Sequence, residues 1–120
     1  MTVQQMLNSL PVLQRMMELK LPIAKAYQVY SLAKQINEQR DFFINKERDM
    51  IIEYKAELLD NGNIRFNSAE DQVKFVAEHN ELMNCEIENL APIELSFTDL
   101  GDAQFTPLEL MQLEGAVNFI

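Results

Sequence analysis

The sequence predicts a mainly α fold with a small β element, an α+β chain forming a single domain over residues 1–120. Three observations carry that expectation. The run from Ile23 to Asp60 contains neither glycine nor proline and repeats apolar residues at helical spacing. Two later segments open on helix-start signals, Ser68 with Asp71 and Thr106 with Glu109. Around them, Ile64–Phe66 and the stretch from Ile87 to Phe97 alternate apolar and polar residues in short pieces, as half-buried strands do. With 120 residues, 48% of them hydrophobic and 24% charged, the chain is long enough for one modest core and too apolar for wholesale disorder.

The elements follow in order. Thr2 and Gln5 form a capping-box pair at the start of a first helix. Pro11 falls inside it and predicts a kink or a restart, because proline removes a backbone donor. Val12, Leu13, Met16, Met17 and Leu19 supply its apolar face, and Lys20-Leu21-Pro22 ends it. In the long helix that follows, Ile23, Tyr27, Tyr30 and Ala33 share one stripe. Val29, Ile36, Phe43, Met50 and Tyr54 form a broader face, with Lys46 and Glu53 flanking Met50, and Glu47 and Lys55 flanking Ile51. Asn61-Gly62 is the predicted stop.

A helix of that length spans roughly 57 Å at about 1.5 Å per residue. A compact domain of this size is only about 35 Å across. The helix therefore bends near the polar cluster Asn37–Asp41, or it projects and packs on something else. Self-association in a helical hairpin or bundle is the economical outcome, and Phe42, Phe43, Met50, Ile51 and Tyr54 are the candidate partner-binding residues.

In the second half, a helix over AEDQVKFVAEHNELMN places Val73, Val76 or Ala77, Asn80 and Met83 inward, with Phe75 and Leu82 beside them. Ile87, Ile93, Leu95 and Phe97 predict one or two strands interrupted by Pro92, pairing with Ile64–Phe66 in a two- to three-stranded antiparallel sheet. Asp99–Asp102 is a turn. Thr106, Pro107 and Glu109 then start a C-terminal docking helix with Leu110, Leu113, Val117 and Ile120 on its stripe.

The net charge of −9 is unevenly placed. Residues 1–60 hold eight basic and eight acidic side chains and form a neutral helical half. Residues 61–120 hold Arg65 and Lys74 against eleven carboxylates and form an acidic α/β half. Direct nucleic-acid binding is not expected, because phosphate contacts need clustered Lys and Arg. Glu86, Glu88 and Glu94 mark a candidate acidic surface for a basic partner. No apolar run approaches the roughly 20 residues that span a bilayer, and MTVQQMLNSL lacks a signal peptide's pattern, so no membrane partner is expected. The single cysteine, Cys85, allows no intrachain disulfide and fits a reducing compartment.

Chemistry is not legible. The three glycines are too scattered to build a phosphate loop, and no nucleophile elbow or zinc-protease signature appears. His79 and Cys85 sit six residues apart, on different sides of a helix, so they do not make a nucleophilic pair. His79 reads as a helix-surface residue beside Glu78 and Glu81, without the second histidine or thiolate pair a metal site needs. The expectation is a non-enzyme with no cofactor and no metal.

Three segments carry a resemblance. They are Lys20-Leu21-Pro22-Ile23 through Tyr27, Leu32 and Lys34; the charged long helix with its Asn-Gly turn and FVAEHNELMNCEIE; and the ending from Asp99 to Glu114, DLGDAQFTPLELMQLE. In these the chain resembles a family of small prophage and bacteriophage proteins catalogued as a domain of unknown function. Pro11 and Gly115-Ala116 depart from that pattern. The resemblance implies a phage-encoded accessory or virion-associated protein; the overlong helix, the docking C-terminal helix and the missing active site point to action by protein–protein contact, as a minor virion component or a head or tail assembly factor. The expected setting is the host cytoplasm or the virion, and the overlong helix points to a homo-oligomer or a complex with other phage proteins. The alternative reading is an acidic inhibitor of a host defence or nucleic-acid-binding protein.

Overall fold

In the computed structural model, which describes residues 1–120, helix α1 (Val3–Met16) starts where the local chemistry puts it. The Thr2 hydroxyl accepts from the Gln5 N–H at 3.1 Å, and the Gln5 carboxamide accepts from the Thr2 N–H at 3.0 Å. The helix passes through Pro11 without a restart. Pro11 is exposed, so its missing donor falls on the solvent side while Leu10, Val12, Leu13 and Met16 bury. Ser9 is also fully buried, and its hydroxyl donates to the Met6 carbonyl at 2.9 Å, which satisfies it without another partner.

Helix α2 (Ile23–Glu53) is the spine of the molecule, 31 continuous residues. It ends seven residues earlier than the glycine-free run suggests. Lys55 adopts a left-handed backbone with φ 52°, and the chain turns back into strand β1 (Glu57–Leu58), which pairs antiparallel with β2 (Ile64–Arg65). Asn61-Gly62 is therefore the tip of a hairpin rather than a helix stop, with Gly62 at φ 86°. Asn61 steadies the tip by accepting from the Asn63 N–H.

Helix α3 (Ala69–Met83) returns alongside the C-terminal half of α2, its first turn capped by the Ser68 hydroxyl on the Asp71 N–H. Strand β3 (Ile93–Leu95) leads into a short 3-10 helix (Phe97–Leu100), where Asp99 accepts from the Ser96 N–H at 2.9 Å. That bond, with the Ser96 hydroxyl and Lys25 nearby, holds the Asp99 carboxyl below its ordinary range. Helix α4 (Pro107–Gln112) carries the full Thr106/Glu109 capping box, and strand β4 (Val117–Phe119) closes the chain.

The fold is mainly α with small β elements, as the sequence predicts, and the strand partners are where it differs. Ile64–Arg65 pairs locally with Glu57–Leu58. Ile93–Leu95 pairs in parallel with Val117–Phe119. Val117 and Ile120 thus leave the predicted helical stripe: α4 stops at Gln112, and Gly115 at φ 84° turns the chain into the strand. Ile87 joins no strand; its N–H bonds the Met1 carbonyl beside an isolated Thr2–Glu86 bridge.

One apolar core joins α1, the N-terminal half of α2 through Val29, Leu32 and Ile36, the end of α3 at Met83, Leu113 at the end of α4, and Leu95 and Val117 of the two paired strands. Each such fully buried aliphatic side chain stabilises by roughly 1.5–3 kcal/mol relative to exposure. The far half of α2 lies beyond this core and carries a separate aromatic cluster on α3. The molecule is accordingly long, 52 × 28 × 20 Å, with a radius of gyration of 17.0 Å against about 14 Å for a compact chain of this length.

Candidate functional site

The five residues predicted for partner contact do not share one surface. Phe42 is exposed, and its ring meets Phe43 edge-to-face at 5.1 Å. Phe43 packs on the edge of the main core. Met50 is buried, and Ile51 is half-buried. Tyr54 belongs to the distal cluster, 6.3 Å from Phe75, which also touches Phe66 at 5.2 Å. The Tyr54 hydroxyl donates to the Glu78 carboxylate at 2.5 Å, and this bond to an anion pushes the phenol up to about 12. Met50 and Tyr54 are thus committed within the chain.

His79 is not the surface residue the sequence suggests. It stacks on Phe75 at 5.6 Å and its Nε2 bonds Glu47 of α2 at 2.9 Å, which ties the two helices together. Cys85 is free and exposed. No group of three or more His, Cys, Asp or Glu side chains gathers to hold a metal. Glu86, Glu88 and Glu94 are exposed but differently engaged. Glu86 pairs with the amino group of Met1, while Glu94 lies on the rim of a groove of about 480 Å³ between α2 and the segment leading into β3. Across that groove Lys25 donates to the Glu94 carbonyl at 2.9 Å, and the Gln28 carboxamide oxygen is the one buried side-chain polar atom without a partner.

The surface that stands out is the outward face of α2. With Val29, Leu32 and Ile36 turned into the core, Ile23, Tyr27 and Tyr30 point away from it and are 89, 68 and 49% exposed. Further along the same face come Lys34, Glu38, Asp41, Asn45, Arg48 and Ile52, all exposed. The two tyrosine rings lie 6.2 Å apart and form a ridge with shallow grooves on either side. Sequence periodicity groups Ile23, Tyr27 and Tyr30 with Ala33, which is fully buried, so it finds the first turns of this face but not its direction. The signal that gives the direction is chemical: tyrosine keeps a hydroxyl that wants water or a partner, whereas Val29, Leu32 and Ile36 have nothing to satisfy.

The fold and this surface define an elongated helical protein with a long uncovered ridge of mixed aromatic and charged character. No helix is long and apolar enough to cross a membrane. No protein-family model, curated protein or solved structure matches the chain.

Proposed function

We propose that this protein works without catalysis, by protein–protein contact, as a phage accessory component of the head or tail or as a factor in their assembly. The observation that carries the reading is the α2 ridge. Ile23, Tyr27, Tyr30 and Ile52 stay largely exposed on a helix that projects past the core, while Val29, Leu32 and Ile36 of the same helix fill it. Uncovered aromatic and aliphatic side chains in a row are what an interface consumes, since tyrosine supplies large contact area at low entropy cost. The elongated shape supports the same reading, because it offers more surface than a compact chain needs.

The test is quantitative mass spectrometry of gradient-purified particles from a phage-bearing host that makes the chain. A fixed copy number per particle supports the virion component. Presence in infected cells with absence from particles supports the assembly factor. Absence from both rejects the phage reading.

A second reading has its own observation. The only two basic side chains of residues 61–120 are both engaged in ion pairs, Arg65 with Glu57 and Lys74 with Glu70, so the acidic half offers no free cation. That suits an inhibitor docking on a basic host protein. Binding of such a protein that survives Glu86→Gln, Glu88→Gln and Glu94→Gln together would remove this reading.

A further inference from the structure

The exposed face of α2 is complementary to its own reverse. At about 100° per residue, Ile23, Tyr27, Tyr30, Lys34, Glu38, Asp41, Asn45, Arg48 and Ile52 fall in a strip about 80° wide, opposite the buried Val29, Leu32 and Ile36. Let a second α2 lie antiparallel on this strip, with the two-fold axis between Asn37 and Glu38. Ile23 then faces Ile52, Tyr27 faces Arg48, Tyr30 faces Asn45, Lys34 faces Asp41, and Asn37 faces Glu38. Every facing pair is chemically matched: apolar on apolar, cation over aromatic ring, phenol to amide, ammonium to carboxylate, amide to carboxylate.

We infer that the partner of this face is a second copy of the chain, held by antiparallel α2–α2 pairing in this register. The inference rests on the contact reading above and names its first partner. Lys34, Glu38, Asp41 and Arg48 make no ion pair within the chain, so pairing breaks none. The strip is neutral in a molecule of net charge −9, so two acidic molecules meet best here. A parallel pair would set Lys34 on Lys34 and Asp41 on Asp41. A slip of one turn either way moves Asp41 from Lys34 to Tyr30 or to Glu38. The contact extends over roughly 44 Å of helix. A strip about 10–12 Å wide over that length buries on the order of 1,000 Å² in total, the low end for specific pairs, which places dissociation in the micromolar range.

Sedimentation of the full chain over a concentration series tests this. Wild type is expected to pass from monomer to dimer in the micromolar range. Lys34→Glu and Asp41→Lys, each striking two symmetric contacts, are each expected to weaken the dimer about tenfold or more. The combined Lys34→Glu/Asp41→Lys charge swap is expected to restore it to within about threefold of wild type. All these positions are exposed, and unchanged circular dichroism verifies the fold. Asn37→Cys in a Cys85→Ser background is expected to form a disulfide-linked dimer under mild oxidation. A dimer indifferent to Lys34→Glu, or a charge swap that fails to restore it, overturns the register. A wild-type monomer at several hundred micromolar overturns the pairing altogether. Particle composition is measured independently, so the contact function can stand or fall apart from this result.

Discussion

Replacing Gly115 with alanine puts a methyl group where the Gln5 carboxamide already lies. The added Cβ would sit 2.5 Å from Gln5 Cδ and 2.6 Å from Oε1, closer than real carbon contacts allow. Gly115 also has φ +84°, a left-handed backbone that costs an L-residue roughly 1–2 kcal/mol. The Gln5 side chain is flexible and can swing out, but its oxygen then releases the Thr2 N–H and half of the α1 capping box opens. A lost hydrogen bond of that kind costs about 0.5–1.5 kcal/mol. The expected total is about 2–3 kcal/mol, or a fall in Tm of roughly 10 °C for a chain of this size. Urea denaturation with an unchanged m-value measures it. The decisive comparison is a double-mutant cycle. In a Gln5→Ala background the clash has no object, so Gly115→Ala should cost only the backbone strain, about 1–2 kcal/mol. Equal costs in the two backgrounds, within about 0.3 kcal/mol, would show that the Gln5–Gly115 contact is not real.

Two further predictions concern the distal cluster. Phe75→Ala is expected to cost about 3–4 kcal/mol locally, and hydrogen exchange should show lost protection in β1, β2 and the first turns of α3 while α1 and Val29–Ile36 keep theirs; uniform loss would mean the two cores are one. Tyr54 is expected to ionise near the value of about 12 that its bond to Glu78 imposes, and Glu78→Gln should bring it back toward 10 in an absorbance titration. Because the folded value is raised, this bond's contribution to stability is complete below about pH 10 and fades as pH rises through 12, so alkaline unfolding should begin earlier in the Glu78→Gln variant.

The parts of the fold that were legible are the local ones. Thr2/Gln5, Ser68/Asp71 and Thr106/Glu109 decide helix starts within four residues, and all three caps form. One error is local, since α3 buries Phe75 and Met83 while Val73, Val76, Ala77 and Asn80, predicted inward, are exposed; the others come from contacts made far along the chain. Nothing within Ile93–Leu95 announces that its neighbour is Val117–Phe119, since parallel pairing carries no turn signal between the strands. The end of α2 is not legible because Ala56 to Asp60 are acceptable helix residues; the hairpin tip at Asn61-Gly62 pulls them out, and Lys55 absorbs the reversal. Gly115 did signal a break, but with Val117 and Ile120 at helical spacing from Leu113 the periodicity outweighed it. For the surface, helical spacing groups Ile23, Tyr27, Tyr30 and Ala33 in one stripe, of which the first three lie on the exposed ridge and Ala33 is buried; the spacing of Phe42, Phe43, Met50, Ile51 and Tyr54 does not distinguish a solvent face from one covered by α3. A second cluster on α3 takes Met50 and Tyr54 inward instead.

Because a single unbroken helix joins the main core to the distal aromatic cluster, α2 fixes the phase between them as well as the distance. One residue inserted between Ile36 and Phe43 would rotate everything beyond it by about 100° and lengthen the span by about 1.5 Å. Met50 and Tyr54 would swing off α3, and Arg48 and Ile52 would leave the line of Ile23 and Tyr27. Seven residues inserted there would return both faces to within about 20° of their original directions while adding roughly 10 Å. Length variation in this spine is therefore confined to steps near whole numbers of turns, such as seven, eleven or eighteen residues, and chains built on the same plan should differ in reach before they differ in orientation.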